Sequence, residues 1–175
     1  MEPSPKFTDL PESHSDLAPS LTSDWFYLIR LDEASPGYLR QRLAYAQSYH
    51  LWLLVEAGTG CHTIDQMEYA VDAGQLHYVR PGQVHSWSFS RNTTAYLLFL
   101  RGPLVDSVSH TMGPLVADCP VCSLDFRSGI LARLFRQVHQ LVTRPGPPPP
   151  SLAERLTSLL RCLESSWRAV ERNRP

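Results

Sequence analysis

The spacing of apolar and polar positions divides the 175-residue chain into three stretches. Residues 1–22 carry Pro3, Pro5, Pro11 and Pro19 among serines and acids, without sustained periodicity, and read as a flexible N-terminal arm. From Asp24 to about Leu100 the pattern is that of strands. Trp25-Phe26-Tyr27-Leu28-Ile29 is aromatic and aliphatic, and Leu43–Val55 is a long apolar run that stops at Ala57-Gly58-Thr59-Gly60. Cys61–Ile64, Glu68–Val71, Leu76–Val79, Ser86–Ser90 and Ala95–Leu100 follow at short intervals. Turn-forming Asp65-Gln66, Asp72-Ala73-Gly74, Pro81-Gly82 and Arg91-Asn92 separate them. Many short strands at regular spacing predict a sandwich or barrel. Residues 101–128 are irregular.

The period then changes. Ile130, Leu131, Leu134, Phe135, Val138, Leu141 and Val142 form one stripe at helical spacing, which Pro145 and the run Pro147–Pro150 terminate. Ser151-Leu-Ala-Glu154 has the form of a capping box. Leu152, Leu156, Leu159, Leu160, Leu163, Trp167 and Val170 carry a second stripe. Two helices with a short connection should pack antiparallel. Stripes this wide need cover, since each buried leucine is worth about 1.5–3 kcal/mol. A second copy of the same helices is the expected cover, giving a homodimer; the chain's own barrel is the other surface available.

Composition adds three points. No apolar run approaches the ~20 residues of a membrane span, and Met1–Ser20 lacks the basic and apolar regions of a signal peptide, so a cytoplasmic location without membrane contact is expected. Charge is divided: residues 1–126 hold 7 Lys/Arg against 14 Asp/Glu, and residues 127–175 hold 9 Arg against 3 Glu. The basic tail reads as the solvated faces of two helices rather than as a nucleic-acid surface. The four cysteines are too few for a disulfide framework, and Cys119-Pro-Val-Cys122, with no second pair, reads as two loop thiols.

The richest segment runs from Gly58 to Trp87, with His62, Glu68, Gly74 and then Arg80-Pro81-Gly82-Gln83-Val84-His85-Ser86-Trp87. Pro81-Gly82 turns the chain and delivers His85 and Trp87, two residues apart, to one face of the next strand. That face is expected inside the barrel.

At Gly74-x-Leu76-His77-Tyr78-Val79-Arg80-Pro81-Gly82-Gln83-Val84-His85-Ser86-Trp87 the sequence resembles the cupin superfamily, and more closely the effector-binding half of AraC-family transcription regulators. The resemblance spans about Leu39 to Val170 and is strong over Tyr49–Trp87. It implies a mainly β fold: a cupin-like double-stranded β-helix (jelly-roll) barrel over residues 23–126, followed by two antiparallel α-helices in a dimerisation module over 127–175. It also implies a small-molecule effector, a homodimer through the C-terminal helices, and DNA contact only through a further helix-turn-helix domain that this chain does not include. Carried over from the family's arabinose sensor, Arg42, Trp87, Thr94 and Tyr96 become ligand contacts, with His62 and His85 beside them. Aromatic walls and a fixed donor such as Arg suit a sugar-like or other polar compound: a sugar, an acid or a phenolic compound about equally.

Cupin enzymes instead hold a metal through two histidines at spacing two, a glutamate and a later histidine. His62, Glu68 and His85 occupy three such positions, but Ile64 replaces the second histidine of the pair. The expectation is therefore a bacterial sensor domain with no catalytic residue, metal or cofactor. A metal-dependent cupin isomerase or dioxygenase and a stand-alone ligand-binding protein are the alternatives.

Overall fold

Two kinds of strand can be told apart by their side-chain alternation, and the difference builds the molecule. Trp52-Leu53-Leu54-Val55 is apolar at every position and buried on both faces, whereas His85-Ser86-Trp87-Ser88-Phe89 alternates and buries one face. The first kind belongs in a sheet covered on both sides, the second in a sheet with one side in water. The computed structural model describes residues 26–32, 40–42, 49–100, 119–124, 129–147 and 149–172. Among them are strands β1 (Phe26–Leu31), β2 (Arg40–Arg42), β3 (His50–Ala57), β4 (Thr59–Ile64), β5 (Met67–Asp72), β6 (Gln75–Val79), β7 (His85–Phe89), β8 (Thr94–Leu100) and β9 (Val121–Ser123). Helices α1 (Ile130–Val142) and α2 (Ser151–Arg172) follow.

The strands form two antiparallel sheets, one in the order β1-β8-β3-β6-β9 and the other β2-β7-β4-β5. The expected mainly β architecture with two C-terminal helices is what the chain adopts. The expected strand starting at Leu43 begins at His50; residues 43–48, like the 1–22 arm, lie outside the described residues. Residues 121–123 of the stretch read as irregular form β9, paired with Gln75–His77 of β6.

Turn chemistry sets the corners. Gly58 has φ +93°, and a Cβ there would overlap the Thr93 backbone; Gly82 has φ +89° with open space around it. At the β4–β5 hairpin, Asp65 and Gln66 both take positive φ, 46° and 72°. The Asp65 carboxylate accepts from Val84 N at 3.0 Å and from Gln83 Nε2 at 2.7 Å, tying this hairpin to the Pro81–Val84 loop.

Two cores result. Between the sheets lie Ile29, Leu31, Leu51, Leu53, Val55, Ile64, Val71, Val79, Trp87, Phe89, Leu97 and Phe99. The second core fills the space between the five-stranded sheet and the helices: Leu28, Trp52, Leu54, Tyr78, Tyr96 and Leu98 meet Leu131, Phe135, Val138, Leu156, Leu159, Leu163 and Trp167. This changes the reading of the helical stripes. Leu159 and Leu163 are completely buried within a single chain, so the protein's own barrel covers the α2 stripe and much of the α1 stripe, while Ile130 of the α1 stripe stays exposed. Glu56 of β3 pins α1 from the rim, 3.3 Å from Arg136 and 4.0 Å from Arg30.

Candidate ligand site in the barrel interior

Alternation along β4, β6 and β7 sends three histidines inward. His62 and His77 are completely buried and His85 is 1% exposed. His62 is the centre: its Nδ1 lies 3.2 Å from His77 Nδ1, and its Nε2 lies 3.2 Å from His85 Nδ1. Trp87 meets the His62 ring edge-on, at 5.9 Å between centroids, and stacks on Phe89 at 5.6 Å. Burial dominates the titration of all three rings. It lowers His77 and His85 to about 4, and it holds His62 well below the ordinary value, with the neighbouring His77 and His85 adding to the effect. The rings are neutral at pH 7.

Neutral imidazoles must each donate once and accept once, which orders the cluster. The backbone N–H of Asp72 donates to Gln75 Oε1 at 2.8 Å, fixing that atom as the oxygen. His77 Nε2, 3.1 Å from the same oxygen, must therefore donate to it. His77 Nδ1 is then an acceptor, His62 donates from Nδ1 and accepts at Nε2, and His85 donates from Nδ1. The series ends at His85 Nε2 as a lone pair, buried and without a partner. Tyr27 Oη and Trp52 Nε1 are also buried without partners; Tyr27 belongs to the core between the sheets, Trp52 to the helix-facing core.

Of the expected contacts, His62, His85 and Trp87 are together in the interior. Tyr96 is not among them. On β8 the inward residues are Ala95, Leu97 and Phe99; Tyr96 faces the other way, with Phe135 and His139 rings each 5.7 Å from its own and the Arg30 guanidinium 6.0 Å from its centroid. Thr94 shares Tyr96's parity and is half-buried at the start of the strand, paired with Ala57. The expected convergence of Thr94 and Tyr96 with Trp87 is thus corrected by a one-residue register on β8. The Arg42 backbone pairs with Ser86, while Gln41 pairs with Trp87; the Arg42 side chain lies outside the described residues.

The cupin metal set does not assemble. Glu68 is exposed on β5. It bears on Cys61, whose thiol is pushed up by burial and then by its hydrogen bond to Glu68; Cys61 alternates with inward His62 and so lies on the outer face. Ile64 is the apolar inward residue two beyond His62. His62 reaches its two histidine neighbours with opposite nitrogens, so the three rings do not aim at one point, and among the described residues no group of three candidate ligands could hold a metal ion. Sequence reasoning missed His77, Gln75 and Tyr27. His77 stood in the motif, but only the β6 register shows that it turns inward.

The family model described as the AraC-like ligand binding domain matches residues 27–174. No curated protein matches the chain. Among solved structures, apo ToxT from Vibrio cholerae is similar at 10% identity and a TM-score of 0.49, covering 83% of this chain and 58% of that one. The AraC-like transcriptional activator CuxR is similar at 12% identity and a TM-score of 0.48, covering 85% and 49%. Unsaturated fatty acid-bound ToxT from Vibrio cholerae gives 10% and 0.48, covering 86% and 56%. The chain thus spans between about half and three-fifths of the length of these three structures. Matched over most of its length by that family model, the chain belongs to the AraC-like ligand-binding domain family.

Proposed function

We propose that this chain is the effector-binding domain of a bacterial AraC-type transcription regulator, and that a small organic ligand occupies the interior between the sheets beside His85 and Trp87. The observation that carries this reading is the polar series Gln75–His77–His62–His85 inside an otherwise apolar core, ending on an unpaired acceptor. Buried polar groups are nearly always hydrogen-bonded, so an open end in a completed core calls for an explanation. His62 and Trp87 complete the proposed contact set. No catalytic role is assigned to it.

The sheet that walls the interior also carries the helices. On β8, Leu97 and Phe99 face the core between the sheets while Tyr96 and Leu98 face α1 and α2, so a shift of this strand moves both cores. A ligand that binds one position of the strand better than another biases the helices by that difference in affinity. DNA contact falls to a separate helix-turn-helix domain. Pairing of two copies would use the outer edge of α1, where Ile130 is 55% exposed and Leu134 and Leu141 are half-buried.

A thermal-shift screen of small sugars, phenols and acids tests the reading. Stabilising compounds should perturb the NMR signals of His62 and His85 and lose their effect in His85→Phe. If no compound stabilises the chain, or if stabilising compounds leave those signals unmoved, the reading fails.

A further inference from the structure

Two unpartnered interior atoms belong to one end of the barrel. Strand β6 ends at Val79, which pairs with Leu51; Leu51 pairs with Phe99, and Phe99 with Tyr27. Strand β7 begins at His85, joined to Val79 by the short Arg80–Val84 loop. His85 Nε2 and Tyr27 Oη therefore lie toward the same end, on opposite sheets, with aromatic Tyr49 edge-on to Phe99 at 5.2 Å beside them.

From this arrangement we infer that the ligand is a neutral, largely apolar molecule carrying a hydrogen-bond donor, of the phenol or alcohol class, whose O–H is received by His85 Nε2, and that Gln75 and His77 set this preference from two rings away. The inference rests on the proposed effector-binding reading and narrows it. Reversing the series would place a lone pair of His77 Nε2 against Gln75 Oε1, which already accepts from Asp72 N, so the order of protons is held from that end. Only the last acceptor is left for a ligand. Tyr27 Oη, which can give or take a proton, is the second unpartnered polar atom toward that end and suits a separate polar atom on the ligand. A carboxylate has no proton to offer at pH 7. Protonating it, or protonating His85 from about 4, each runs against roughly three pH units.

The experiment is ¹⁵N NMR of the full chain with labelled histidines, titrated at pH 7 with phenol, its methyl ether anisole, and benzoate. His85 should show protonated Nδ1 and bare Nε2 before any addition. Phenol should move the Nε2 signal and bind about tenfold more tightly than anisole, the difference a single hydrogen bond to a buried acceptor makes. Gln75→Leu should give mixed tautomers and erase that difference while the fold, read by circular dichroism, stays intact; Gln75→Glu, which keeps an acceptor, should restore both. A protonated His85 Nε2, equal binding of anisole, tighter binding of benzoate, or a Gln75→Leu chain with unchanged tautomers would overturn the inference. So would an Nε2 signal unmoved by all three probes, which would assign the lone pair to an internal water only. A sugar or acid that stabilises the barrel and moves His62 but not His85 Nε2 would defeat this inference and leave the sensor reading standing. The absence of any stabilising compound would defeat that reading itself.

Discussion

His62 Nε2 stands 3.2 Å from His85 Nδ1, with both rings shut off from water. That contact crosses from β4 to β7 and excludes a doubly charged pair, since two imidazolium rings would present N–H to N–H; burial further disfavours charging either ring. The sign of the pH response follows. Folded values of about 4 for His77 and His85 lie below the unfolded value near 6.5, so the unfolded chain takes up protons first as pH falls. The stability these rings contribute is fully present above about pH 6.5 and is lost progressively toward pH 4. Between pH 6.5 and 5 each should cost about 2 kcal/mol. Urea midpoints measured from pH 7 to 5 should fall steeply, and less steeply in His85→Phe. A flat profile would show the rings to be accessible to protons in the folded chain.

A second expectation concerns the helices. Leu159 and Leu163 are buried against the chain's own strands and helix, so Leu163→Ala should cost about 2–5 kcal/mol and Leu159→Arg should abolish cooperative unfolding. Ile130→Asp, at an exposed position, should change stability by less than about 0.5 kcal/mol. If the chain pairs through α1, only the Ile130 change separates folded copies in sedimentation. A folded, monomeric Leu159→Arg chain would contradict this packing.

The glycines offer a third. Gly82→Ala meets only the backbone cost of positive φ, about 1–2 kcal/mol. Gly58→Ala meets that cost and a collision with the Thr93 backbone, about 3 kcal/mol together. Equal urea midpoints for the two variants would refute the close approach at Gly58.

Much of this was legible in the sequence, for reasons tied to particular residues. Strand identity followed from apolar runs and turn residues, and His85 and Trp87 could be placed together because their spacing of two survives any small error in where β7 begins. Tyr96 could not be placed so safely. Its whole strand, Thr94–Leu100, is buried on both faces beyond the first position, so hydrophobicity gives no phase and one residue decides between the core between the sheets and the helices. The same ambiguity hid the cover over the helical stripes: a continuous apolar run such as Trp52–Val55 already signals two buried faces, and the helices are what lies on the second. His77 was out of reach for a further reason. On β6, where Leu76–Val79 is buried throughout, nothing in the local pattern says which residues turn inward.

Tyr96 and Trp87 now carry opposite expectations. Both are buried aromatics, at 2% and 3% exposure, and both were expected to touch ligand. Tyr96 instead packs on Phe135 and His139 under Arg30, so Tyr96→Phe removes a hydroxyl at the helix seam and keeps the ring. It should cost about 1 kcal/mol and leave the Kd of any stabilising compound unchanged within twofold. Trp87 lies between His62, His85 and Phe89 in the interior. Trp87→Ala should cost about 3–5 kcal/mol, so the informative variant is Trp87→Phe, which keeps an aromatic face and most of the packing. Its Kd should rise at least fivefold while the chain still unfolds cooperatively. A larger loss of affinity in Tyr96→Phe than in Trp87→Phe, measured by calorimetry on one compound, would move the ligand to the helix side of the sheet and overturn the site assignment.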